Sequence, residues 1–244
     1  MNTQPIPYYQ KKHITRTQGL PEKCLFRCFS PKIEEIAADE PLIIVGMDSG
    51  VSNNAFCSIR LVQDPVTKAI IDFEYENSYY FAEQMEYLKF QIDKQFFLVE
   101  QYFNLFSRRL VHSLVYEVLP ITNIKDNTVL KGVLDAQATT TLISAQAYSL
   151  GHHYTPAPAT SIKKCLTDNG SATKEDMCKA AYALTGDERM LVNDHLADAF
   201  GDCFFGFIEA LKADCVYYSV PVPEKYLSLC SWNFDTMPKA PWEK

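Results

Sequence analysis

Three acidic residues and a histidine in this chain sit where the hydrophobic pattern makes ionisable groups costly. Asp48 ends the continuous apolar run Leu42-Ile43-Ile44-Val45-Gly46-Met47, and Glu117 is the single acid in Ser113-Leu114-Val115-Tyr116-Glu117-Val118. Asp194-His195-Leu196-Ala197-Asp198 opens a late helical pattern. A carboxylate in the core of a strand is expensive to ionise, so it calls for a cation or for hydrogen bonds. On a helix, His195 and Asp198 stand at i and i+3 and share a face, with Asp194 about one turn from Asp198. Hard oxygen donors with one imidazole suit Mg²⁺ or Mn²⁺ better than a closed zinc site, which would draw on thiolates. Each position also has an ordinary reading. Glu117 can face water at a sheet edge, His195 can simply start a helix, and Asp194 is what an N-cap wants.

The elements that must position these groups follow from periodicity. Residues 42–48 read as a buried strand, residues 55–62 as a strand returning antiparallel after Ser52-Asn53-Asn54, and residues 71–76 as a third that alternates strictly. Met85, Leu88, Ile92, Phe96, Val99, Phe103 and Phe106 predict one long amphipathic helix over residues 83–112, and residues 113–118 predict a fourth strand. A helix over residues 129–150 stops at Gly151, and residues 154–157 form a brief fifth strand. Helices follow at residues 161–166 and at residues 174–185, the second entered through Thr173 as N-cap with Glu175 and Asp176 in its first turn. The last helix, residues 194–212, closes the domain. Three antiparallel strands running into a helix-linked parallel extension predict an α/β fold, a mixed five-stranded sheet with helices on both faces. The domain spans residues 41–212, between a basic extension (1–40) and an irregular tail (213–244) holding both Trp residues.

Composition sets the outer bounds. The chain has 244 residues, 47% of them hydrophobic and 22% charged, so a folded core rather than wholesale disorder is expected. No apolar run approaches the ~18 residues of a membrane span, and no secretory h-region is visible at the N-terminus. A soluble, cytoplasmic protein with eight reduced cysteines is the expectation, and no membrane partner. The net charge of −7 argues at first against nucleic acid, yet residues 1–30 hold Lys11, Lys12, Arg16, Lys23 and Arg27 against Glu22 alone. That local charge of +4 leaves −11 on the rest, so the arm is either available to a polyanion or a solvated tail with no partner. Cys24, Cys28 and His13 resemble half of a zinc site without a second pair at recognised spacing. Phe96, Phe97, Tyr102, Phe103 and Phe106 stand at helical spacing and are more often core, and among functional readings they suit a dimer face better than a base-stacking platform.

Taken together these segments resemble the RuvC-type Holliday-junction resolvases of the RNase H-like (retroviral-integrase-like) superfamily. Gly46-Met47-Asp48-Ser49-Gly50 resembles the family's strand-one G-x-D-x-G, Tyr116-Glu117-Val118 sits where its second acid belongs, and Asp194-His195-Leu196-Ala197-Asp198-Ala199 resembles its D-H-x-A-D-A helix opening. Pro158-Ala159-Thr160-Ser161-Ile162-Lys163 and Gly170-Ser171-Ala172-Thr173-Lys174-Glu175-Asp176-Met177 are similar to its P-x-x-[IV]-K and G-x-A-x-K-x-x-[MV] segments. The resemblance implies an RNase H-like fold and a homodimer that cuts a four-way DNA junction symmetrically with two Mg²⁺ (or Mn²⁺) per active site. It implies that Asp48, Glu117, His195 and Asp198 are metal-site residues and that Lys163 and Lys174 lie near the DNA backbone, where Lys164 beside Lys163 can do the same work. A strand end at the sheet centre is the most rigid platform, which makes Asp48 the candidate bridging carboxylate, and His195 either binds metal or positions the water. Three departures stand out. Ser49 replaces the usual Pro, Asp168-Asn169-Gly170 replaces a Thr-Gly-x-Gly turn, and Pro120 stands where a stacking aromatic is common, with Leu119 or Ile121 as substitute wedges. A broader branched-DNA or flap debranching nuclease and a catalytically inactive junction-binding protein are the competing functions for the same fold.

Overall fold

The computed structural model describes residues 40–50, 52–118 and 126–230. The basic extension up to residue 39, with His13, Cys24 and Cys28, the wedge candidates Leu119 and Ile121 with Pro120 between them, and both Trp residues lie outside the described residues. Five strands form one sheet: β1 (Leu42–Ser49), β2 (Asn54–Gln63), β3 (Ile70–Tyr80), β4 (Leu110–Val118) and β5 (His153–Pro158), in the order β3-β2-β1-β4-β5. β2 pairs antiparallel with β1 and β3, whereas β4 runs parallel to β1 and β5 parallel to β4. The expected mixed sheet is present. The site-bearing strand is its centre, where hydrogen bonds on both edges hold the backbone.

Two layers of helix cover it. On one face lie α1 (Ala82–Glu86), α2 (Gln91–Phe106) and α3 (Asn127–Ser149). On the other lie α4 (Ala159–Thr167), α5 (Lys174–Thr185), the single turn α6 (Arg189–Val192) and the long α7 (Asp194–Tyr218), followed by a 3₁₀ turn (Glu224–Tyr226) and α8 (Leu227–Cys230). Period-two alternation divides β1 between the layers: Ile43, Val45 and Met47 join the α2/α3 core, and Leu42 and Ile44 join the α7 core. Gly46 and Asp48 continue the second series. Among the described residues, no helix is long and apolar enough to cross a membrane, and the six described cysteines are free thiols.

The long helix expected over residues 83–112 is instead two helices and the start of β4. The break between Glu86 and Gln91 resets the helical phase, so only part of the expected stripe points inward: Met85 and Phe106 are in the core, but Ile92 and Phe96 are not. Gln95, Leu98, Tyr102 and Phe106 are buried, while Ile92 and Phe96 are 50% and 61% exposed. Phe56 of β2 organises that core, meeting Phe81, Tyr102 and Phe106 edge to face at 5.8, 5.8 and 6.0 Å. The Tyr102 hydroxyl and His152 Nδ1, 2.9 Å apart, satisfy each other in the interior, giving His152 a structural role. Thr173 caps α5 as expected, in a reciprocal capping box with Asp176. α7 runs on to Tyr218, and short helical turns occupy residues 224–230, so this stretch is less irregular than its prolines suggest.

The segment leading into α7 is tied to the sheet edge by charge. Asp187 accepts from Tyr75 Oη at 2.6 Å and from Arg189, whose Nη1 also donates to the Ser78 carbonyl at 3.2 Å. The Arg189 guanidinium pulls the Asp187 carboxyl down to about 2. A carboxylate depressed in the folded state adds stability above its unfolded value near 3.8, and loses it as pH falls toward 2. Arg189 is half exposed, so the screened contribution is about 1 kcal/mol. Asp187→Asn is expected to lower the melting temperature by a few degrees at pH 6, with the difference from wild type closing between pH 4 and pH 2 in calorimetric scans. A gap that persists at pH 2 would contradict this.

Candidate active site

The parallel register pairs Met47 with Tyr116, so the next residues, Asp48 and Glu117, stand on adjacent strands. Both point away from the α2/α3 core and toward α7, whose first turns bring His195 and Asp198 to the same face. His195 Nδ1 lies 2.6 Å from Asp48 Oδ2. The imidazole is also stacked on Tyr80 at the end of β3, with centroids 5.8 Å apart and planes within 16°. Two contacts therefore fix the ring: one sets its direction, the other its plane. Ser49, where the family resembled above usually has Pro, extends β1 by one residue and bonds through its hydroxyl to Thr140 of α3.

Asn193, not Asp194, caps α7, its Oδ1 accepting from the His195 and Leu196 amides at 3.1 and 3.3 Å. Asp194 is thereby free to pair with Lys174 at the start of α5. That pairing holds the Asp194 carboxyl below its ordinary range and raises Lys174. Lys174 is otherwise exposed, at the mouth of the site, and the charges of Asp198 and Asp48 also bear on it. Lys163 of α4 lies near Glu117 and eases its ionisation, whereas Lys164 beside it is exposed.

The acids destabilise one another. Burial, and then the Asp48 charge, push Asp198 up to about 7, with Glu117 and Asp194 adding to the rise and Lys174 opposing it. Glu117 is raised by burial and by Asp48. His195 is raised by its bond to Asp48. Shifts of this kind mark a cluster with more negative charge than its own cations neutralise. Among the described residues, no three His, Cys, Asp or Glu side chains lie close enough to enclose an ion as they stand. The donor chemistry nevertheless fits a hard divalent cation: three carboxylates and an imidazole on one face of the sheet, with Glu117 and Asp198 raised by burial and by the Asp48 charge. Asp48 and His195 are in contact, Glu117 and Asp198 are coupled to Asp48 through space, and Lys163 and Lys174 flank the group.

Asp202 and Tyr80 belong to this neighbourhood and did not stand out from the sequence. Asp202 follows Asp198 by one turn on the same face of α7 and is 2% exposed. Its signal was an acid inside the otherwise apolar stretch from Ala199 to Ile208. Tyr80 had none, because nothing local distinguishes a tyrosine at a strand end that meets a distant ring.

No protein-family model matches the chain, and no curated protein matches it by sequence. Solved structures do match. RuvC of Thermus thermophilus is similar with a TM-score of 0.50 and 14% identity, over 68% of this chain and 95% of that one. T. thermophilus RuvC in complex with Holliday junction substrate is similar with a TM-score of 0.53 and 16% identity, over 70% of this chain and 96% of that one. A sheet of order β3-β2-β1-β4-β5 that carries acids at the adjacent ends of β1 and β4 and at the head of its last long helix is, on these likenesses, the RuvC-type, RNase H-like fold.

Proposed function

We propose that this chain is a Mg²⁺-dependent endodeoxyribonuclease that resolves four-way DNA junctions, with residues 41–212 as the nuclease domain. The observation that carries the reading is the Asp48–His195 pair at the centre of a RuvC-type fold, with Glu117 and Asp198 coupled to it. Asp48, Glu117, Asp198 and His195 would hold two divalent cations, Mg²⁺ or Mn²⁺. Bound there, such a pair lowers the pKa of a water and neutralises charge on the phosphoryl group.

The chain's own residues perform the positioning. His195 orients the Asp48 carboxylate through Nδ1, and Tyr80 keeps the imidazole from turning. Asp194 holds Lys174 over the site, where an incoming phosphate can compete for its ammonium. Lys163 and Lys164 supply further positive charge along α4, and the basic extension adds a sequence-independent hold on DNA. A second copy of the chain would cover the exposed apolar groups at the N-terminal end of α2, where Phe90, its N-cap, and Ile92 and Phe96 within it are 67, 50 and 61% exposed. Paired, symmetric nicks require such a dimer. The compartment that goes with this reading is the cytoplasm of a bacterium or of a virus-infected cell.

The test is cleavage of a synthetic immobile four-way junction by the full-length chain in Mg²⁺, in Mn²⁺ and in chelator, beside flap, fork and linear duplex. Paired nicks on the junction that require the cation are the expected result. Equal cutting of flaps and forks would indicate a general debranching nuclease. Binding without cutting in either metal would indicate an inactive junction-binding protein, and would overturn the proposal.

A further inference from the structure

We propose that Asp202 is a fifth carboxylate of the cation centre, an inner ligand lying behind Asp48 on the face of β1 that packs against α7. This rests on the metal-dependent reading above and adds to it a residue outside the four-residue pattern. Three observations carry it. Asp202 is 2% exposed, and its Oδ1 has no hydrogen-bond partner. A Cβ added at Gly46 would lie 3.0 Å from the Asp202 Cβ, so this side chain leaves α7 directly against the backbone two residues before Asp48. Burial first, and then the charges of Asp48, Glu117 and Asp198 with Cys57 as a further neighbour, disfavour its ionisation.

A structural explanation fails on the same facts. Phe200, Gly201, Cys203 and Phe204 around it pack as apolar core, and an alanine would complete that surface without burying an unpartnered oxygen. Buried carboxyl groups in folded proteins ordinarily gain hydrogen bonds or a counter-ion. Asp202 has neither from the protein for Oδ1, and the charges that bear on it are those of Asp48, Glu117 and Asp198, the group of acids that needs a cation. A divalent ion held by Asp48 supplies the missing partner for that oxygen.

Mn²⁺ uptake by the full-length protein, followed through the loss of the free-ion electron paramagnetic resonance signal and competed with Mg²⁺, tests this without reference to cleavage. Asp202→Asn should weaken Mn²⁺ binding by at least ~10-fold. The variant should also lose most of the rise in melting temperature that Mn²⁺ gives the wild type, while melting in chelator at or above the wild-type temperature. Asp202→Ala, which removes the oxygen altogether, should do the same. Unchanged Mn²⁺ affinity in Asp202→Asn beside a large loss in Asp48→Asn would overturn the assignment and leave the nuclease reading intact. No Mn²⁺ uptake by the wild type would overturn both. Failure of both Asp202 variants to fold would make the residue structural and also overturn the assignment.

Discussion

Asp198→Asn is expected to leave a folded protein that still binds a four-way junction but cuts it roughly 10³-fold more slowly in Mg²⁺. The side chain is isosteric, so α7 keeps its packing, and what disappears is one negative charge. In the cation-free protein that loss carries no penalty, because Asp198 is raised to about 7 by burial and by the charges of Asp48, Glu117 and Asp194. The melting temperature in chelator should therefore stay level or rise. In Mg²⁺ the same charge would help neutralise a cation held at the proposed site, and amide oxygen is a poorer ligand than carboxylate. Loss of turnover without loss of fold separates a site residue from a core residue. Single-turnover cleavage and thermal melts on the same preparations make the comparison, and an Asp198→Asn protein with wild-type turnover would remove this residue from the site.

Much of the scaffold was legible because its signals are local. The apolar run from Leu42 to Met47 ending in Asp48 is a buried strand by length and composition, and the capping box at Thr173 and Asp176 marks the start of α5 almost to the residue. The alternation within β1 and the i, i+3 spacing of His195 and Asp198 are enough to place three of the four groups on faces able to meet. The misreading of α2 came from a phase reset that no single residue announces. A stripe drawn from Met85 to Phe106 is coherent only if the helix is unbroken, and the chain turns between Glu86 and Gln91. The stacking of Tyr80 on His195 and the burial of Asp202 depend on contacts between segments more than a hundred residues apart in the one case, and across a helix–sheet interface in the other. Periodicity reports which face a residue occupies. What lies opposite that face is a property of the assembled layers.

Gly46 is where those layers are set, and Gly46→Ala is expected to have the largest effect on stability of any single methyl group added to the site region. A Cβ there would lie 2.0 Å from the Ala199 carbonyl oxygen and 2.7 Å from the Cys203 amide nitrogen. Both are backbone atoms of α7, held in its own hydrogen-bond ladder, so no side-chain rotamer change relieves the overlap. The helix must move off the central strand, which costs roughly 3–5 kcal/mol, or about 10 °C in melting temperature for a domain of this size. Gly132→Ala in α3 is the control, since an added Cβ there meets nothing within 4 Å. A helix-interior glycine replaced by alanine should gain about 0.5–1 kcal/mol. The two substitutions add the same methyl group and should move the melting temperature in opposite directions. The consequence for the site follows from the same geometry. Asp198 and Asp202 bracket Ala199 on α7, and Asp48 lies two residues beyond Gly46 on β1. A helix lifted by even an ångström separates the acids of one element from those of the other, so Gly46→Ala should lose Mn²⁺ affinity even at temperatures where it remains folded. Retained cation affinity with a lowered melting temperature would show instead that the close approach of α7 to β1 serves packing alone.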